Sequence, residues 1–393
     1  MNSNIVITGY ARTPIGSFQG ALASMTAPAL GAHAIRAALQ RAGVDGSRVS
    51  EVILGNVLTA GVGQAPARQA LIAAGLPVSV PALTLNKVCG SGMKAVMLGA
   101  QSLMTGESEI VVAGGQESMS NAPYLLPQAR GGFRMGNSQV LDSMIHDGLW
   151  DPYHSQHMGN CGEICAKEFA FTREAQDAYA ILSYQRAQAA QSRGAFADEI
   201  APMTLKGAKG ESVLFEHDEA PGKVKFDKIP TLKPAFDKTG SVTAANASSL
   251  NDGAAALVLM QGDLAQKTGA RPIARIVSMA THAQAPEWFT TAPVGAMRAA
   301  LKKAGWNVGD VDLFEVNEAF AVVAMAAEKE LSIPREKLNV RGGAISLGHP
   351  IGASGARILI TLISALREQG LRRGLAGICI GGGEATAIAL ELC

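Results

Sequence analysis

Two cysteines, a histidine and an asparagine stand out because each follows an apolar run and precedes small residues. Cys89 lies directly before Gly90-Ser91-Gly92 and a helical stretch. Free N–H groups at a helix N-terminus favour an anion, and so favour thiolate over thiol. The spacing predicts a nucleophile of lowered pKa, with backbone donors beside it for a developing oxyanion. A small core cysteine at a strand end is the plainer alternative. His349 lies in Gly342-Gly-Ala-Ile-Ser-Leu-Gly-His-Pro-Ile-Gly-Ala-Ser-Gly, at the start of another helix. That place lowers an imidazole's pKa and keeps it neutral, as a base must be. Such a turn also cradles phosphate, or simply uses the ring to satisfy its own backbone. Cys379 is followed by Ile380-Gly381-Gly382-Gly383, which brings backbone N–H groups within reach of a substrate oxygen. Asn317, in Val316-Asn-Glu-Ala-Phe, sits between a strand and a helix, where N-capping is its ordinary use. Together they place two thiols, an imidazole and an amide at the C-terminal ends of expected strands. Ligand sites in open α/β sheets form there.

These residues need elements to hold them. Asn4–Gly9, Val49–Val57, Leu83–Val88 and Glu109–Ala113 read as strands, and Leu30–Ala42, Arg68–Ala74 and Met93–Met104 as helices. The alternation resumes after residue 250 with strands at Gly253–Met260, Ile273–Met279, Leu313–Val316, Leu375–Ile380 and Ala385–Glu391. Helices Val294–Ala304, Ala319–Leu331 and Gly355–Gln369 lie between them. This predicts α/β layers around a largely parallel sheet. Residues 119–250 break the pattern with irregular Gly/Pro/Met segments, one long helix near Arg173–Arg193 and a charged stretch, Lys206–Lys238, and read as an insertion. A weak repeat pairs Ile110-Val-Val-Ala-Gly-Gly-Gln-Glu-Ser with Ile378-Cys-Ile-Gly-Gly-Gly-Glu-Ala-Thr, each after a small-residue turn and a helix. It suggests two similar halves.

Composition narrows the function. Of 393 residues 48% are hydrophobic and 17% charged, which excludes disorder. Lys and Arg number 34 against 33 Asp and Glu, so no overall basic field favours nucleic acid. Five cysteines, an odd number, fit a reducing compartment better than a disulfide framework. The apolar run Ile358–Leu366 is far short of the ~20 residues that span a bilayer, and the first residues read as a strand, not a leader. A cytoplasmic enzyme acting on small molecules is expected. Cys161 and Cys165 share a helical face without a second pair, and His154 and His157 flank a loop, so no metal is expected. Neither a Gly-x-Gly-x-x-Gly site after the first strand nor a phosphate loop with Lys-Ser/Thr occurs. Met25, Met93, Met97, Met104 and Met119 read as packing.

Asn86-Lys-Val-Cys-Gly-Ser-Gly-Met-Lys-Ala, Asn317-Glu-Ala-Phe, Gly348-His-Pro-Ile-Gly-Ala-Ser-Gly-Ala-Arg and Cys379-Ile-Gly-Gly-Gly resemble the four motifs of the thiolase family, in order, and the likeness runs from Arg12 to the C-terminus. Within the family it is strongest to the acetyl-CoA acetyltransferases. The resemblance implies an α/β fold of two βαβαβαββ halves in five α-β-α-β-α layers with an inserted loop domain. It divides the chain into residues 1–118 plus 250–270, a loop domain 119–249 covering CoA, and 271–393. It implies that Cys89 takes the acyl group, His349 accepts the thiol proton, and Cys379 exchanges an α-proton. His349 and a water held by Asn317 would bind the enolate oxygen, and the N–H groups of Cys89 and Gly381 the acyl-Cys oxyanion. Leu149, His157, Met158, Ala235, Phe236, Ala244, Ala247, Ser248, Ala319 and Phe320 would line the tunnel for CoA, with Met158 limiting chain length. Lys223, or Lys225, would meet the CoA nucleotide. Phe289 is followed by Thr290 where relatives accepting 2-methyl substrates carry Pro, and Tyr184 resembles a residue of potassium-responsive members. The implied activity is reversible condensation of two acetyl-CoA to acetoacetyl-CoA, with a longer-chain 3-ketoacyl-CoA thiolase as the alternative. Acetyl-CoA and coenzyme A would be substrates and no cofactor would stay bound. A homotetramer is expected.

Overall fold

The computed structural model describes residues 4–207 and 210–393. Met1–Ser3, and Ala208 and Lys209 of the charged stretch, lie outside the described residues. The first half runs β1 (Ile5–Arg12), α1 (Ala27–Ala42), β2 (Glu51–Gly55), α2 (Pro66–Ala73), β3 (Ala82–Leu85), α3 (Ser91–Thr105) and β4 (Ile110–Ser118). The intervening segment carries α4 (Met158–Glu168) and α5 (Arg173–Ser192); β5 (Asn251–Gln261) and α6 (Gly262–Thr268) follow. The second half runs β6 (Ala274–Ala283), α7 (Ala292–Ala304), β7 (Leu313–Val316), α8 (Ala321–Leu331), α9 (Ala344–Leu347), α10 (Ile351–Gln369), β8 (Arg373–Ile380) and β9 (Glu384–Leu392).

The strands pair in the order β3-β2-β4-β5-β1, then β6-β9-β8-β7. Each half thus reads outward from its own first strand through its fifth, fourth and second. In the second half the third position holds only a bridge, Phe314 to Leu338. The halves join through Val6 opposite Arg275 and Ile7 opposite Ala274. The expectation of a largely parallel sheet is corrected. Among the described strands, only the pairs β2–β3, β2–β4 and β7–β8 are parallel. Helical crossovers give parallel neighbours, whereas the short glycine link from β8 to β9 can join only antiparallel strands. Gly382 and Gly383 take φ of 92° and 82° in that link, which glycine adopts without strain.

Alternation along the strands builds the layers. Ile5, Ile7, Leu257 and Leu259 face a core shared with α3 and α10, while Val6, Ala256 and Val258 face a second core under α1. Ala387 and Ala389 of β9 face a third core with α7 and α8, and Ile388 and Leu390 face the shared one. Helix–sheet–helix–sheet–helix is the result. α10 is buried from Ile351 to Leu366, as a helix of the middle layer must be. It crosses α3 closely: a Cβ on Gly355 would stand 2.4 Å from the Met93 nitrogen.

The intervening segment is tied to both halves by buried charge. Arg12 of β1 binds Asp218 through two nitrogens (2.7 and 2.8 Å) and Glu199 at 2.8 Å. Arg341 of the second half binds the other oxygen of Glu199 at 3.1 Å. All four side chains are buried, so each charge needs its partner. No helix among the described residues is long and apolar enough to cross a membrane.

Candidate active site

Between β3 and α3 the chain makes a tight turn at Asn86–Gly90. Val88 takes φ of 45°, a left-handed conformation that a β-branched residue rarely adopts. Side chains hold it there. The Val88 N–H donates to Asn86 Oδ1 (2.8 Å), and Ser91 Oγ donates to the Val88 carbonyl (2.6 Å) while accepting from the Lys87 N–H (2.8 Å). The turn presents the Cys89 sulfur at the mouth of α3, packed against Val57, Leu58, Met119, Met144 and Ile351. Backbone N–H groups of Gly381 and of Cys89 itself favour the sulfur's anion.

The expected lowering of this thiol's pKa is nevertheless corrected. Burial on an apolar floor outweighs the backbone donors, and the nearby Glu117 carboxylate adds to it, so the thiol is pushed up to about 11. Its thiolate fraction therefore grows as pH rises toward that value. Alkylation by iodoacetamide, followed on the peptide carrying Cys89, is expected to quicken about tenfold per pH unit between pH 8 and 10. A rate already level by pH 8 would contradict this.

His349 lies two residues before α10. Its Nδ1 stands 2.6 Å from Ser354 Oγ. That hydroxyl spends its single hydrogen on the Pro350 carbonyl (3.0 Å), so it must accept from Nδ1–H. The other ring nitrogen, Nε2, is then the free base, with Asn317 Nδ2 3.5 Å away. Burial, and secondarily Arg357, lower the imidazole's pKa to about 3, in line with the neutral ring expected. The main-chain N–H of His349 is fixed by Asn251 Oδ1 at 3.0 Å. With thiol and imidazole shifted in opposite directions, the pair rests neutral and no thiolate–imidazolium is preformed.

Asn317 directly follows β7 and is buried. It does not cap α8, which starts four residues later at Ala321. Its Oδ1 is buried and has no hydrogen-bond partner among the described residues. The next residue, Glu318, is anchored by Ser183 (2.7 Å), Asn339 (2.9 Å) and Tyr179 (3.1 Å), which locks the turn. Cys379 is fully buried near the end of β8. Its thiol is pushed well above the ordinary range, first by burial and then by the neighbouring Cys89, while the Ala319 N–H favours its anion.

A cavity of about 680 Å³ opens above these groups, within the usual range for small-molecule sites. Cys89, His349 and Gly381 reach its surface; Cys379 and Asn317 do not line it. Every residue expected in the tunnel lines it: Leu149, His157, Met158, Ala235, Phe236, Ala244, Ala247, Ser248, Ala319, Phe320 and Lys223. His157 caps α4, accepting the Gly159 N–H through Nδ1 (3.1 Å), and its ring stacks on Phe236 at 4.6 Å. Phe320 meets Phe236 and Phe289 edge-on at 6.1 and 6.2 Å. Ser248 N–H bonds to the Ala319 carbonyl at 2.9 Å, which ties the inserted wall to the turn after Asn317. Lys223 sits at the rim, paired with Glu219. Lys225 does not line the cavity.

Sequence reasoning missed several contributors. Met119, read as packing, also faces the cavity, as do Ser17, Phe18 and Met144. Ser354 and Asn251, which fix the ring and backbone of His349, gave no signal beyond lying in or near small-residue runs. His154 does not join His157; its Nδ1 stands 2.8 Å from Asp151. Cys161 and Cys165 are buried in the core beside α8, and no group of three His, Cys, Asp or Glu able to hold a metal occurs among the described residues.

Residues 5–263 match the family model for the thiolase N-terminal domain, and residues 270–392 that for the thiolase C-terminal domain. The chain belongs to the thiolase family. As a thiolase it is an acyltransferase. It is 53% identical over 390 residues to an acetyl-CoA acetyltransferase of Cupriavidus necator, covering 99% of each chain. It is 54% identical over 390 residues to acetyl-CoA acetyltransferase 1 of Arabidopsis thaliana, covering 99% of this thiolase and 94% of that relative. The Acat5 thiolase of Ascaris suum, solved in complex with coenzyme A, matches with a TM-score of 0.94 at 44% identity, over 99% of this chain and all of the other.

Proposed function

We propose that this thiolase is an acetyl-CoA C-acetyltransferase, joining two acetyl-CoA to acetoacetyl-CoA and CoA, and the reverse, through acetyl-Cys89. One observation carries the reading. A nucleophilic thiol, a free imidazole nitrogen and the N–H of Gly381 share one apolar cavity, with a second thiol coupled to the first.

In the first half-reaction the Cys89 sulfur attacks the thioester carbonyl as its proton passes to His349 Nε2. The N–H groups of Cys89 and Gly381 hold the oxyanion, and the imidazolium returns the proton to the departing CoA thiolate. Because thiol and imidazole rest neutral, the transfer accompanies attack and does not precede it. Acylation then changes Cys379. A thiolate at Cys89 would oppose ionising it, and a thioester there cannot become one. Cys379 passes its thiol proton to His349 Nε2 and, as the thiolate, takes a proton from the methyl group of the second acetyl-CoA. The enolate oxygen is met by the Nε2–H of the imidazolium so formed and by a water on Asn317, whose unpaired Oδ1 suits that task. The enolate carbon attacks the acetyl carbonyl, the bond to Cys89 breaks, and the imidazolium proton restores the Cys89 thiol, leaving Cys379 protonated again.

Residues 119–249 serve as the loop domain over the pantetheine arm, and Lys223 would leave Glu219 for a CoA phosphate. Tyr124, Phe133, Met135 and Tyr153 of that segment are exposed large side chains, which supports a homotetramer built through it. Balanced charge and five unpaired cysteines suit the cytoplasm. Tyr184 offers the cavity wall one neutral oxygen, a slender basis for a potassium site, so no step uses a cation. A longer-chain 3-ketoacyl-CoA thiolase is the second reading. Against it, Met158 lies beside Gly381, its Cε 3.5 Å from where a Cβ there would stand. CoA-dependent cleavage of acetoacetyl-CoA is expected to exceed that of a six- to eight-carbon 3-ketoacyl-CoA at least about tenfold, since misfit in a closed apolar pocket is worth that much. Equal rates would favour the second reading.

A further inference from the structure

We propose that Glu117 and Glu384 are reciprocal positioning residues, each belonging to one half of the molecule and holding the turn that opens the central helix of the other. The proposal rests on the acyl-transfer reading above. It starts from two glutamates beside the central strands, one in each half. Glu117 lies within β4, the fourth strand of the first half, and Glu384 is the first residue of β9, one glycine turn after the fourth strand of the second.

Glu117 is completely buried, yet its carboxylate is fully occupied. It accepts from Asn56 Nδ2 (2.7 Å), from the N–H groups of Val57 (3.0 Å) and Leu58 (3.1 Å), and from the N–H of Gly352 (2.8 Å). All four partners are donors, which favours the ionised acceptor, although burial outweighs them and pushes the carboxyl up to about 7. Gly352 is the second residue of α10, where an unpaired N–H and the helix dipole favour an anion. The carboxylate thereby fixes the first turn of the helix that follows His349. Val57, Leu58 and Ile351 are also the floor on which the Cys89 sulfur rests. One first-half carboxylate therefore sets both the height of the nucleophile and the start of the second-half helix that follows the base.

Glu384 does the converse. It opens β9, directly after the Gly381 turn, and forms an ion pair with Lys87. Lys87 lies two residues before Cys89, and its N–H is already pinned by Ser91 Oγ. The pair draws the nucleophile turn and the turn carrying the Gly381 N–H toward one another. A partly exposed ion pair adds little to stability, so its effect falls on geometry.

The test compares wild type, Glu117→Gln, Lys87→Glu, Glu384→Lys and the exchange Lys87→Glu/Glu384→Lys in acetoacetyl-CoA thiolysis, with thermal melting of each. Glu117→Gln turns a donor toward donors. It is expected to lower kcat about 100-fold, the usual consequence of a misplacement near 1 Å, with KM within about threefold. Each single charge reversal is expected to lower kcat about tenfold, and the exchange to recover most of that loss. Glu117→Asp replaces the glutamine variant if that variant does not fold, with the same loss expected in kcat alone. Folded Glu117 variants with kcat within twofold of wild type, or an exchange no better than its single variants, would overturn the proposal. A wild-type enzyme that neither cleaves acetoacetyl-CoA nor forms an acetyl-enzyme would instead overturn the reading beneath it.

Discussion

Cys89→Ala forms no acetyl-enzyme from acetyl-CoA, and both condensation and thiolysis fall by about 10⁵-fold or more, as when a covalent nucleophile is removed elsewhere. The size of the effect follows from the setting. His349 Nε2 is a neutral base with its tautomer fixed by Ser354 and Pro350, but it has nothing else in the cavity to activate. Cys379 cannot substitute, because its thiol is harder to ionise than an ordinary one. The fold should tolerate the change. Alanine keeps the main-chain hydrogen bonds of Gly90, Ser91 and Lys94 that shape the turn. Melting near the wild-type temperature beside a complete loss of turnover separates a chemical role from a structural one. Measurable turnover above about 1% of wild type would place the nucleophile elsewhere.

Cys379→Ala separates the two half-reactions. Acetyl transfer from acetyl-CoA to Cys89 needs only the sulfur, His349 and the N–H groups of Cys89 and Gly381, so it is expected to persist within about tenfold of the wild-type burst. Carbon–carbon bond formation needs a base at the second substrate's methyl group, and loss of a positioned acid–base group costs about 10²–10⁴-fold. Condensation and thiolysis should both fall into that range while the acetyl-enzyme accumulates. Rapid quench with labelled acetyl-CoA reads both quantities from one experiment. Near-normal condensation would remove Cys379 from its assigned role. A lost burst would mean that Cys379 is needed to shape the floor of the site.

The four reactive residues were legible in the sequence because each lies where a strand gives way to small residues, and the fold delivers all four to one place. Their electrostatics were not legible. A helix N-terminus argues for a lowered thiol pKa at Cys89, but desolvation by Val57, Leu58, Met119 and Ile351, which come from distant segments, reverses the sign. Element types were read well and boundaries less so: β4 extends to Ser118, past Gly114 and Gly115, because those glycines continue the pairing with β5. Strand direction was misjudged because alternation shows that strands and helices take turns, and says nothing of where the chain re-enters the sheet after a long insertion or a three-glycine link. The residues that went unseen, Glu117, Asn251 and Ser354, act on main-chain N–H groups or on a ring nitrogen, and only three-dimensional proximity shows that.

The central claim is that acyl groups pass through Cys89 with Cys379 acting on the other substrate. Peptide mass mapping of the Cys379→Ala enzyme after acetyl-CoA tests it most directly, because the intermediate has nowhere to go. An acetyl group on the peptide carrying Cys89, removed by added CoA, is the predicted result. An unmodified Cys89 peptide, or acetyl held by any other residue, would contradict it.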